Sequence, residues 1–296
     1  MRRSNSAFTI VELLVSVAVL VVLVLLVSRL FSSAAMITTS GNKRMDAEAQ
    51  IRPLFERMAV DISQMLKRSD VDYYLKSSAN AETGNDQIAF YSGATAYYPC
   101  SGCPSPSPIA IIVYRINAAQ QLERGAKQLP WNGATNTPST SQTPMIFGLA
   151  GSDNGALPVT INTIWTAATN ATVDIDYYDL IGPYVFRFEY HYVLKNGSFS
   201  ITPWDTSTGH SSVSGMQDVA AISVCIATID PKSKVLISDS QLTTLAGRLP
   251  DFSASMTSGG LLSQWQAALD GTTDMARPAI QGVRIYERYF YLLPKS

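Results

Sequence analysis

Few residues in this chain have the type and spacing to do chemistry. Cys100 and Cys103 make a C-x-x-C pair inside the proline-rich run Tyr98-Pro99-Cys100-Ser101-Gly102-Cys103-Pro104. One such pair is half a zinc site, and no second pair or neighbouring histidine completes it. A thioredoxin-type motif opens a helix, whereas prolines follow this one. In an oxidising compartment the pair reads as a disulfide stapling a loop, with free thiols or a metal or redox centre as alternatives. Asp174, Asp176 and Asp179 bring three carboxylates close together. Calcium takes such oxygen donors, but the loop glycine and ligand spacing of an EF-hand are missing. The expectation is a solvated acidic turn, with calcium as the weaker alternative. His191 and His210 have no recognisable catalytic neighbour and are expected on the surface. The sequence contains no G-x-S-x-G, H-E-x-x-H or P-loop, so no catalytic residue, cofactor or enzymatic activity is expected. That leaves Glu12, an acid in an apolar run.

Composition narrows the setting. The 296 residues are 46% hydrophobic and 15% charged, with net charge -1. The low, balanced charge excludes the basic footprint of a nucleic-acid partner. From Phe8 to Ser28 the only ionisable side chain is Glu12, and Leu13 to Val27 reads LLVSVAVLVVLVLLV. As a helix, residues 8–31 span roughly 36 Å, enough to cross a bilayer core of about 30 Å. Arg2 and Arg3 precede the run and should stay cytoplasmic, with the C-terminal bulk translocated. A cleaved signal peptide, cut after Ala35 by a small-x-small rule, is one reading. A plain membrane anchor is another. Neither explains an acid placed where insertion costs up to about 2.5–3.5 kcal/mol.

The run Ala7-Phe8-Thr9-Ile10-Val11-Glu12-Leu13-Leu14 resembles the type IV prepilin signature. The resemblance implies that prepilin peptidase cuts between Ala7 and Phe8 and that the new Phe8 amine is methylated. It also implies that Glu12 pairs with the amine of a neighbouring subunit. Ala7 stands where the family usually has glycine. The charge logic agrees, because a desolvated amine needs an opposite charge. The stretch QIRPLFERMAVDISQ, residues 50–64, resembles pseudopilins, particularly the large J-type minor pseudopilin of type II secretion. Further runs resemble the pilin-like C member of a four-protein verrucomicrobial cassette (Verru_Chthon cassette protein C). These are residues 67–74, Gly84-Asn85-Asp86 with Phe90-Tyr91-Ser92, residues 121–124 and 216–222, and the ending at 283–292.

Elements follow from periodicity. Residues 32–78 crowd together charges of both signs, and Arg44/Glu48, Glu48/Arg52, Arg52/Glu56 and Arg57/Asp61 stand four apart. Ile51, Leu54, Phe55, Met58, Ile62, Met65 and Leu66 keep helical spacing, which predicts an amphipathic stalk. Gly41 and Pro53 are expected to bend or interrupt it. Beyond it, 87–92 and 109–116 are short β-rich runs. Residues 184–194 alternate, with Phe186, Phe188, Tyr190, Tyr192 and Leu194 on one side and Arg187, Glu189 and His191 on the other. That predicts a half-buried strand. Asn196-Gly197 predicts a hairpin. Residues 219–229 are nearly all apolar, as in a central strand, with Cys225 as a small core residue, and 283–292 form another strand. Short helices are expected near 238–249, capped by Ser238 or Ser240, and 260–269.

The expected fold is α+β and pilin-like, with a long N-terminal helix packed on an antiparallel β-sheet domain. The expected divisions are a leader at 1–7, a membrane helix at 8–31, the stalk at 32–78 and a β-rich envelope domain at 79–296. Of the 45 charges, 28 fall in the 220 residues 77–296, about 13%, which suits an exported domain. The expected function is a structural subunit of a type IV pilus- or type II secretion-like assembly. Its expected partners are prepilin peptidase, other pilin-like subunits through the N-terminal helix, and the inner membrane. The expected location is a single-pass inner-membrane protein, its C-terminal domain in the periplasm or at the cell surface. The alternative is a membrane-anchored periplasmic binding module that does not polymerise.

Overall fold

The computed structural model describes residues 9–67, 84–94, 96, 106–130, 178–210 and 216–292. The chain divides into two compact units, Met1–Glu48 and Ala49–Ser296. Helix α1, Ile10–Ser63, supplies the described part of the first unit and the opening of the second. Within it, Ile10–Ala35 is long and apolar enough to cross a membrane, with every one of these side chains exposed. A helix apolar on all sides suits a lipid environment.

In the second unit α1 buries Ile51, Leu54, Phe55, Met58 and Ile62. Each such side chain contributes roughly 1.5–3 kcal/mol by leaving water. Pro53 lies on the exposed side of this stripe. Neither Gly41 nor Pro53 interrupts α1, which continues through both positions. Anchors on both sides of Pro53 hold the helix through the lost backbone hydrogen bond. The helix also stops earlier than the expected stalk. After Ser63, Met65 bridges Ser92, and the Leu66 amide donates to the Tyr91 carbonyl at 2.9 Å. Pairing with a strand replaces the helical ladder there.

Two four-stranded antiparallel sheets follow. The first is ordered β1-β2-β3-β4, from Gln87–Ser92, Pro106–Ile116, Leu122–Pro130 and Tyr178–Gly182. The second is ordered β6-β5-β7-β8, from Phe199–Ser200, Val185–Leu194, Val219–Ile229 and Val283–Tyr291. Between β7 and β8 come α2 (Pro231–Lys234), α3 (Asp239–Arg248), α4 (Gly260–Asp270) and α5 (Arg277–Ile280). Ser238 caps α3 through a reciprocal box with Gln241. Gly197, at φ +86°, makes the hairpin turn after β5.

One core joins the end of α1 to both sheets, through Phe90, Ile112, Phe188, Tyr190, Val224 and Phe290 among others. A second core lies on the other face of the second sheet, under α3 and α4. The β5 strand is therefore covered on both faces. Arg187, Glu189 and His191, expected in water, are all buried. His191 stacks on Phe252 with centroids 4.0 Å apart. Phe186 also departs from the expected face, because the register shifts between Val185 and Arg187 and moves it into the second core. Strand β3 lacks an alternating pattern, and its sheet context makes it a strand.

Candidate functional site

At the start of α1, Thr9 and Glu12 close a reciprocal cap. The Glu12 amide donates to Thr9 Oγ1 at 3.3 Å. Glu12 Oε2 accepts from the Thr9 amide and from the Thr9 hydroxyl, both at 3.0 Å. The Thr9 carbonyl takes the first helical bond, from Leu13. This is a capping box, and it satisfies two donors that the first turn otherwise leaves open. The T-x-x-E spacing ahead of an apolar run was its signal in the sequence. Favourable placement of a negative charge at a helix N-terminus adds to the arrangement. Ala7 and Phe8, the expected processing positions, lie outside the described residues.

Residues 2–28 match the prokaryotic N-terminal methylation motif. The N-terminal segment is type IV pilin-like. That motif and the single apolar helix fit a one-pass membrane anchor, and the α+β architecture beyond it is consistent with a pilin-like protein. No curated protein matches the chain.

The other expected positions fare differently. Cys100 and Cys103 lie outside the described residues, as do Asp174 and Asp176. Asp179 is described, and it sits exposed in β4, opposite Arg124, rather than in a turn. Cys225 is fully buried in β7, and burial pushes its thiol well above the usual range, so it acts as a core residue. His210 is half-exposed, and its Nδ1 lies 2.8 Å from Asp218 Oδ2. That pair ties His210 to the residue just before β7.

An ionic cluster under α1 was not legible in the sequence. Asp61, expected on the charged helix face, is fully buried. Arg124 donates to it from Nε at 2.6 Å and from Nη2 at 3.0 Å, and the Tyr114 hydroxyl donates at 2.5 Å. Burial first, then the Asp61 charge, pushes the Tyr114 hydroxyl far above its usual range, so it stays a donor. Arg57, expected as the partner of Asp61, stands farther off at 3.7 Å. The cluster fixes the rotation of α1 against the first sheet.

Asn85 and Asp86 have a structural role the sequence did not show. The Asn85 side chain donates to the Phe186 carbonyl at 3.1 Å and accepts from the Phe188 amide at 2.8 Å. The Asp86 amide donates to the Phe188 carbonyl, and its carboxylate accepts from the Tyr190 amide at 3.0 Å. Two residues thereby occupy the edge of β5 that the two-residue β6 leaves open, and they tie the sheets together.

Proposed function

We propose that the chain is a non-enzymatic subunit of pilin or pseudopilin type in a type IV pilus-like or type II secretion-like envelope assembly. The observation that carries this reading is the methylation motif at residues 2–28, with Glu12 the only acid in its apolar part. Prepilin peptidase removes residues 1–7, and the Phe8 amine is then methylated. The amine stays positive in an apolar setting and needs a counter-charge. The Thr9 bonds both go to Glu12 Oε2. A carboxylate offers about four acceptor sites, so Oε1 remains for the amine of a neighbouring subunit. The apolar helix then packs against its neighbours, and residues 79–296 face the periplasm or the cell surface. The resemblance to the cassette C protein, which runs nearly end to end, and the more distant one to the J-type pseudopilin support a pilin-like role. The bulk of the outer domain favours a minor subunit.

Mass spectrometry of the mature N-terminus tests this. The expected product begins at an N-methylated Phe8. An intact Met1, or a cut after Ala35, overturns the reading.

A further inference from the structure

Among the described residues, the second sheet ends on an open edge at β8. Its other edge strand is two residues long, whereas β8 runs for nine. Strand β8 pairs with β7 alone among the described strands. The Leu292 amide bonds the Ala220 carbonyl and the Asp230 amide bonds the Gly282 carbonyl. Alternation along an antiparallel ladder therefore turns the even-numbered residues of β8 toward β7. The amides and carbonyls of Val283, Ile285, Glu287, Tyr289 and Tyr291 point away from the sheet. Such an edge is a template for another strand unless charges or prolines guard it.

The charges on β8 are drawn away from that task. Glu287 Oε1 accepts from Ser223 and Tyr289, both at 3.1 Å. Arg288 reaches over the rings of Phe55 and Phe290. Arg284 alone guards the edge, because its Nη1 donates to the Val283 carbonyl at 2.8 Å. The usable edge begins at Ile285. At its far end Tyr291 is 74% exposed, a large aromatic without cover.

We infer that the β8 edge pairs antiparallel with β8 of a second copy of this chain, about a two-fold axis through Tyr289. Charge selects the register. An axis at Tyr286 sets Arg284 against Arg288, one at Glu287 opposes two carboxylates, and one at Arg288 opposes two guanidinium groups. Like charges directly opposite destabilise a sheet. An axis at Ile285 requires the Val283 carbonyl that Arg284 already occupies. Among the registers that remain, the one at Tyr289 gives the longest ladder within the described strand. It sets Arg288 across from Phe290, Tyr286 across from Leu292 and Tyr291 across from Glu287, with about six new backbone hydrogen bonds. The pair is isologous and closes at two copies. It uses no residue of α1 and does not depend on the pilin-like reading.

The test uses the full chain in detergent, with Cys100→Ser and Cys103→Ser and a spin label on Tyr291→Cys. In the dimer the two labelled positions stand about 14 Å apart along the paired strands, so the spectrum broadens by dipolar coupling. Excess synthetic peptide of residues 283–292 competes for the edge and removes the broadening. Tyr289→Pro removes an amide that faces the partner and leaves the β7 ladder, so it also removes the broadening, while Glu12→Ala leaves it unchanged. A sharp spectrum from the labelled chain overturns the inference. So does broadening that survives both the peptide and Tyr289→Pro, since association then runs through another surface.

Discussion

Asp61 on α1 and Arg124 on β3 form a buried two-bond ion pair across 63 residues of sequence. Both partners are buried, and the Tyr114 hydroxyl donates to the same carboxylate. Removing one member leaves the other charged and unpaired, which costs about 3–5 kcal/mol. Asp61→Ala is therefore expected to lower the urea midpoint sharply. Arg52→Ala, at the exposed Arg52–Glu56 pair on the same helix, is expected to leave it nearly unchanged. Equilibrium urea unfolding of the two variants checks the contrast.

Asn85→Ala strips the Phe186 carbonyl and the Phe188 amide of their partners. Each unsatisfied buried group costs about 1–3 kcal/mol. Faster amide exchange at Phe188 is expected, together with a lower melting temperature. Exchange at Ile226, on the far side of β5 in β7, serves as the internal reference.

Arg248 grips Asp274 through two bonds of 2.5 and 2.7 Å at the surface. The hydrogen bonds from Arg248 hold the Asp274 carboxyl down at about 2. A depressed carboxyl adds stability above its ordinary value of about 3.9, and that contribution fades as pH falls toward 2. Carboxyl-carbon NMR is expected to show the Asp274 midpoint near 2. Arg248→Ala is expected to return it toward the ordinary value, and an unmoved midpoint would assign the shift to another group.

Glu12→Ala is expected to abolish incorporation into the envelope assembly while residues 49–296 stay folded. Sheared-fibre or pseudopilus fractions, probed beside whole-cell protein, report the first half. Circular dichroism and the urea midpoint report the second. Normal incorporation of the variant would refute pairing through Glu12.

Much of the architecture was legible along the chain. The apolar run, described from Ile10 onward, the helical stripe from Ile51 to Ile62, the hairpin at Asn196-Gly197 and the central strand 219–229 depend on local pattern, and each stands in the structure where expected. Burial of Arg187, Glu189 and His191 was not legible. Alternation along β5 says that two faces differ, but only packing decides whether the polar face meets water or a layer of helices. Here α3 and α4 cover it, and Asp251 meets Arg187 from the segment between them.

The candidate site divides in the same way. The sequence by itself determined the apolar helix and the acid inside it, because both lie within one continuous stretch of chain. Tertiary structure decided the place of Asp61. Its four-residue spacing from Arg57 was real, yet a buried carboxylate is held by whatever desolvated donors surround it. Arg124 and Tyr114 come from strands more than fifty residues away. The open edge of β8 was decided there too, since an edge exists only once strand order is set, and strand order belongs to no single stretch of chain.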